Sequence, residues 1–217
     1  MPPDKDLQSV PGPVAGWDHN RFQHAGSAAI CPEYRAWMAG LDQADSIVLN
    51  PHKWLFAPHG TGMLYVRRDK IADLWPLQAS PERMDDDIRK FEEIGTHPAA
   101  PYLAIAEALT FHQAIGGKRK EARLIHLRDS WARRLLEHDR VRLHTSLEPG
   151  MACGIANVEI EGVDPGELTS WLFQEHRIIV TPIGHDEFSG IRVSPSVYTT
   201  AEEIDRFVDA MESVIRT

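Results

Sequence analysis

Apolar residues in the first half of the chain form two short runs separated by a glycine-containing turn. The run IVL (residues 47–49) is typical of a buried strand, and MLYVRR (residues 63–68) is typical of a second one. The APHGTG segment between them favours a tight connection. A β-hairpin is therefore predicted, with NPHKW (residues 50–54) in its loop, and loops held by a rigid sheet commonly carry reactive groups.

Helical periodicity follows in four segments. The stretch APYLAIAEALTFHQAIGG (residues 100–117) predicts one helix, with Pro98 and Pro101 near its start and Gly116 and Gly117 past its end. Residues 118–138 and 164–176 have amphipathic helical patterns. The last helix opens with a capping box, in which Thr200 is followed three residues later by Glu203.

The region beyond residue 139 contains short β-rich runs, VRLHTS, IANVEIEG, RIIVTPI and GIRVSPSVY. These patterns predict a flexible, proline-rich arm at residues 1–16 and an α/β domain at residues 17–117. They also predict a connecting helix at residues 118–138 and a small α+β subdomain at residues 139–217.

Charge and cysteine content narrow the function classes. The 217 residues carry 23 basic and 32 acidic side chains, a formal net charge of -9. This balance argues against a nucleic-acid or anionic-membrane partner, since either needs clustered positive charge. Two cysteines, Cys31 and Cys153, are too few for a disulfide framework or a zinc site and indicate reduced cytoplasmic thiols. No apolar run approaches membrane-spanning length.

Lys53 is the candidate nucleophile. It precedes Trp54, Leu55 and Phe56, and burial of that segment would lower the pKa of the lysine amine. A neutral amine can condense with an aldehyde, as in enzymes that use pyridoxal 5'-phosphate (PLP). The alternative is a solvated surface lysine with no catalytic part.

Three segments together resemble the class V aminotransferases of the isopenicillin N epimerase-like group, on the fold type I PLP scaffold. They are HKWLFAPHGTGMLYV, FEEIGTHPAA and GIRVSPSVYTTAEEID. The resemblance implies that Lys53 forms the Schiff base with PLP, that His52 lies beside the cofactor ring and phosphate, and that Arg192 holds the α-carboxylate of an amino acid substrate. It also implies that Thr96 reaches the phosphate of the other subunit's cofactor, in a homo-oligomer with sites at a dimer interface.

The segment before Lys53, HAGSAAICPEYRAWMAGLDQADSIVLNPHKWL, is similar to the group II, aromatic-L-amino-acid decarboxylases. That pattern implies that Asn50 and His52 lie near the cofactor phosphate. Because both families use the same lysine on the same fold type, a chimeric origin is one hypothesis for a chain that resembles both.

Two departures from these families bear on activity. Arg21 stands where the decarboxylases have the aspartate that pairs with the pyridine nitrogen, and a like charge there opposes protonation of that nitrogen. Only 52 residues precede Lys53, without a glycine-rich phosphate cup. The expectation is a partial PLP-binding large domain that lacks its N-terminal half, followed by the small α+β subdomain.

Two residue types that particular PLP-dependent reactions need are absent from the segments where they would be expected, and this limits the possible reactions. Residues 181–192 contain no cysteine, which argues against desulfuration, and residues 81–93 contain no tyrosine, which weakens the case for decarboxylation. Epimerase-like or transaminase-like chemistry is preferred, with His97 and His185 as candidate proton carriers. Decarboxylation is the first alternative hypothesis for the function, and a non-catalytic interaction module is the second.

Overall fold

The computed structural model describes residues 19–22 and 40–216. The predicted arm of residues 1–16 lies outside them. The chain divides into two compact units, one ending at Gly117 and the other comprising Lys118–Thr217. No helix among the described residues has the length and apolar character needed to cross a membrane.

The first unit contains a three-stranded sheet built from β1 (His19–Phe22), β2 (Ser46–Leu49) and β3 (Met63–Val66), in that order. Strands β1 and β2 are parallel, whereas β2 and β3 are antiparallel. The predicted β-hairpin is therefore confirmed. At its base, Arg67 donates its backbone N–H to the Asp45 carbonyl and forms an ion pair with the Asp45 carboxylate at 3.2 Å.

Burial of the hairpin strands is less than predicted. Met63, Leu64 and Tyr65 are 51, 42 and 52% exposed, so the prediction of a buried second strand is wrong. Residues 47–49 of β2 are half-buried. The β3 side chains are exposed because β3 is the edge strand, and no strand among the described residues pairs with its outer edge. An apolar run produces a buried strand only when further layers cover it.

The helical segment of the first unit is divided, contrary to the prediction of one helix. It consists of α1 (Ala100–Leu103) and α2 (Ile105–Ile115). Ala104 separates them with a ψ of −7°, far from the helical value of about −42°. Helix α2 ends at Gly116, whose φ of 85° is the left-handed conformation that glycine adopts without strain. Short 3₁₀ turns lie at Arg68–Lys70, Glu82–Met84 and Ile88–Phe91.

The second unit is an α+β structure with one antiparallel sheet of four strands. Its elements in chain order are α3 (Gly117–Leu135), β4 (Val141–Leu143), β5 (Ala156–Ile160), α4 (Pro165–His176), β6 (Thr181–Gly184), β7 (Ser189–Val193) and α5 (Ala201–Ile215). The strand order is β4-β5-β7-β6, with every neighbouring pair antiparallel. Gly117, predicted to lie past a helix, instead begins α3.

One face of this sheet packs against all three helices. Val158 and Ile191 contribute from the strands, and Leu127 and Trp131 from α3. The Trp131 indole meets Phe207 of α5 edge to face, with ring centroids 5.7 Å apart. The amphipathic pattern of residues 118–138 therefore predicts the buried face of α3 correctly.

The ends of the helices in the second unit follow local rules. Thr200 and Glu203 form both hydrogen bonds of the predicted capping box. Helix α4 starts after Asp164, whose carboxylate accepts the Glu167 backbone N–H, and stops at Arg177, which has a φ of 58°. Because of that stop, residues 177–180 are not part of a strand, and the strand predicted from RIIVTPI begins only at residue 181.

Candidate functional site

Lys53 lies in a hydrogen-bonded turn at the carboxyl end of β2. Its backbone N–H donates to the Asn50 carbonyl at 3.2 Å, and its carbonyl accepts the Phe56 N–H at 3.1 Å. The structure thus places Asn50, His52 and Lys53 on one turn. Since β1 runs parallel to β2, this turn follows the carboxyl edge of a parallel strand pair, where open α/β sheets bind ligands.

The His52 side chain forms a hydrogen bond across the loop. Its Nδ1 lies 2.6 Å from the carbonyl oxygen of Thr61, a fully buried residue. A carbonyl only accepts, so Nδ1 carries the hydrogen and Nε2 is left for another partner. Thr61 is itself held, because its backbone N–H and its hydroxyl both donate to the Pro58 carbonyl. The imidazole therefore has a defined tautomer and orientation beside Lys53.

Apolar side chains flank the lysine. Leu55 is buried, while Lys53 and Trp54 are half-buried. Phe56 has a φ of 61°, rare for a non-glycine residue, and its ring meets Phe111 of α2 edge to face at 5.9 Å. The turn ends at this left-handed residue.

Thr96 lies in an exposed bend of the same unit, separate from the lysine turn. It follows Gly95, whose φ is 85° and whose N–H donates to the Glu93 carboxylate. His97 donates from its Nδ1 to the Gly95 carbonyl at 2.8 Å, and its ring meets that of Tyr102 edge to face. Exposure leaves the Thr96 hydroxyl accessible from solvent.

Arg192 belongs to the second unit and lies on β7, an interior strand of the sheet. Its cross-strand partners are Asn157 on β5 and Thr181 on β6. Its Nη2 donates to the Thr181 hydroxyl at 3.2 Å, whereas its buried Nε has no partner among the described residues. The guanidinium is therefore oriented by the sheet and retains donors for an anion.

Asn157 and Thr181 are site candidates that sequence reasoning missed. Asn157 alternates with Ala156 and Val158 in a β pattern, so it has the signature of an ordinary outward-facing polar residue. Only the register between β5 and β7 places it opposite Arg192. That register joins strands separated by a helix and another strand.

His185, the other candidate proton carrier, lies in the connection between β6 and β7. It is exposed, its Nδ1 accepts the Glu187 N–H at 3.2 Å, and its ring stacks on Phe188. These contacts describe a loop residue packed on its own hairpin.

Comparison with known proteins identifies relatives of both kinds that the motifs indicated. The sequence model of the family described as "Aminotransferase class-V" matches residues 38–207. Isopenicillin N epimerase from Streptomyces clavuligerus is 30% identical over 180 residues, or 75% of this chain and 45% of that protein. Tyrosine decarboxylase 2 from Arabidopsis thaliana is 37% identical over 78 residues, or 36% of this chain and 14% of that protein.

The fold agrees with these relatives. Catharanthus roseus tryptophan decarboxylase, solved in complex with L-tryptophan, matches 92% of this chain with a TM-score of 0.69 at 18% identity. The match covers 43% of the decarboxylase chain. The chain thus has part of a fold type I PLP-enzyme structure and spans about half or less of the length of the relatives it matches. With the family model matching residues 38–207, the chain belongs to the class V aminotransferase family.

Proposed function

We propose that this chain carries the lysine-bearing and carboxylate-binding parts of a PLP-dependent enzyme that acts on an amino acid by epimerase-like or transaminase-like chemistry. The observation that carries the proposal is the Lys53 turn, whose backbone is fixed at both ends and which lies beside an oriented His52 at the carboxyl end of β2. The class V aminotransferases and the amino acid decarboxylases that this chain resembles are both PLP-dependent and share this scaffold.

The donor set of the first unit suits this cofactor. Lys53 would hold it through its amine, and the Asn50 amide would donate N–H groups to its phosphate. His52, whose Nδ1–H goes to the Thr61 carbonyl, would meet the phosphate through Nε2 in the imidazolium form, which carries a second N–H. Thr96, exposed in its bend, would serve the phosphate of a second subunit's cofactor. When bound, PLP would supply the electron sink that such chemistry at the substrate Cα requires.

The protein's own groups supply orientation and proton transfer. Arg192 would bind the substrate α-carboxylate, for which a planar guanidinium provides two parallel donors. Its position on an interior strand and its bond to Thr181 limit its movement. The Lys53 amine would remove and return the proton at the substrate Cα.

We also propose a homo-oligomer and a cytoplasmic location. The outer edge of β3, with exposed Met63, Leu64 and Tyr65, favours association, since uncovered apolar strand edges pair readily. Cys153 is a free thiol, as a reducing compartment would keep it. Sedimentation of the purified chain tests the first point, and a sedimenting monomer would contradict it.

Decarboxylation is the second candidate, favoured by the similarity to tyrosine decarboxylase 2. An experiment in D₂O separates the reactions. Incubation of the chain and PLP with L-amino acids, followed by ¹H NMR, should show loss of the Cα–H signal with the carboxylate retained, and no exchange with Lys53→Ala. Formation of an amine labelled at Cα would instead establish decarboxylation. If PLP is bound but the Cα–H does not exchange for deuterium, the non-catalytic hypothesis would be supported instead.

A further inference from the structure

Three polar groups that have no partner in the described part of the chain lie on two facing residues of the second unit's sheet. The Oδ1 and Nδ2 atoms of Asn157 are buried without a hydrogen bond among the described residues, and so is Nε of Arg192. Asn157 is only 8% exposed. Burying polar groups without partners is costly, so native structures rarely leave such a cluster without a use.

The sheet register makes these groups neighbours. Asn157 on β5 is directly opposite Arg192 on β7. Opposed residues on an antiparallel pair share a face, with Cβ atoms about 4.5–5.5 Å apart. Gly190, two residues before Arg192, makes room for the amide, since a Cβ there would lie 2.8 Å from Asn157 Oδ1.

We propose that Asn157 is a second carboxylate-binding residue beside Arg192. When a carboxylate is bound by the Arg192 Nη groups, the Asn157 Oδ1 would accept the Nε–H of Arg192 and the Asn157 Nδ2 would donate to one carboxylate oxygen. The inference rests on the proposed function, because it adds a donor to the same site. The ligand class it implies is an α-amino acid, whose carboxylate has enough lone pairs for both side chains.

The complementarity of donors and acceptors carries the assignment. Arg192 has a donor, Nε, that no other described residue accepts from, and Asn157 offers one acceptor and two donors. With Thr181 already accepting from Nη2, the asparagine is the neighbour that can occupy Nε. A bound carboxylate then satisfies the remaining amide donors, so all three groups gain partners together. Such a site binds through preorganised donors at the cost of the ligand-free protein's stability.

Asn157→Leu tests this, because leucine has a similar volume and no polar atoms. The probe is glycine, titrated into protein labelled with ¹⁵N at the arginine Nε in the presence of PLP. The Arg192 Nε resonance should shift on binding in the wild-type protein. In the variant, the dissociation constant should rise roughly tenfold or more, as expected for a lost hydrogen bond to a charged group. The melting temperature of the ligand-free variant should be unchanged or higher.

Control variants distinguish the outcomes. Glu159→Gln, on the same face of β5, should bind glycine as the wild type does, and Arg192→Lys should bind it much more weakly. If Arg192→Lys weakens binding but Asn157→Leu does not, Asn157 is not part of the site and this inference is overturned alone. If the Arg192 signal ignores glycine, or if Arg192→Lys leaves the affinity unchanged, the carboxylate site of the proposed function fails, and the inference fails with it.

Discussion

His52 Nδ1 and the Thr61 carbonyl oxygen lie 2.6 Å apart, joining the two ends of the loop that carries Lys53. Because Thr61 is fully buried, a carbonyl left without this donor would stay unpaired. The hydrogen bond therefore links the stability of the loop to the orientation of the residue beside the candidate nucleophile.

Replacement of His52 should separate these two effects. His52→Ala should lower the free energy of unfolding by about 1–2 kcal/mol, the cost of an unpaired buried acceptor. His52→Asn should restore part of it, since the asparagine Nδ2 occupies nearly the position of Nδ1. Urea denaturation measures both variants. Equal losses in Ala and Asn would show that the bond to Thr61 does not support the loop.

Gly190 should be intolerant of any side chain. A Cβ at this position would lie 2.5 Å from the Val158 carbonyl oxygen, and the φ of 134° is unfavourable for other residues. Gly190→Ala should therefore destabilise the protein by about 2–4 kcal/mol through crowding and backbone strain. Gly184→Ala is the matched control, because Gly184 lies on the neighbouring strand and a Cβ there would have no atom of the described residues within 4 Å. Similar denaturation midpoints for the two variants would contradict the close approach of β5 and β7.

Lys90 should stabilise the segment before Thr96. Its buried ammonium donates to the carbonyls of Ile71 and Asp85, each at 2.7 Å, and lies 5.3 Å from the centre of the Phe91 ring. Lys90→Met should cost about 1–3 kcal/mol, because both carbonyls lose a charged donor. Arg83→Met is the control, because Arg83 is exposed, and it should have little effect on the free energy of unfolding. Thermal unfolding compares them, and an unaltered Lys90→Met transition would refute this role.

Asp87 should titrate at unusually low pH. Hydrogen bonds from the Arg89 side chain and backbone lower the pKa of its carboxyl to about 2. Because the folded pKa lies below the ordinary value of 3.8, the contribution to stability is complete above pH 4 and is lost as the pH falls through about 2. Arg89→Gln should raise the Asp87 pKa toward 3.8, measured by ¹³C NMR of the carboxyl. An unchanged titration would show that the pair does not form in solution.

Local patterns predict a large part of this structure. The hairpin around Lys53, the buried face of α3 and the capping box at Thr200 all depend on residues close in sequence, so periodicity and turn chemistry suffice. The position of Lys53 at the end of a strand follows from the same local evidence.

What the sequence did not reveal depends on long-range packing. Exposure of Tyr65 on β3 reflects what covers the strand, which its own apolar run cannot specify. The pairing of Asn157 with Arg192 needs the register of two strands separated by α4 and β6. The helix is divided at Ala104, and the sequence does not predict this because position 104 is neither a proline nor a glycine.

Covalent attachment of PLP to Lys53 can be detected by trapping the bound cofactor. The purified chain is mixed with PLP, reduced with borohydride and digested, and the modified peptide is mapped by mass spectrometry. We expect modification at Lys53 that is lost in Lys53→Ala. It should be retained in Lys118→Ala, which changes an exposed lysine of the other unit. Modification scattered over several lysines, and equally strong in Lys53→Ala, would contradict a cofactor site in this turn.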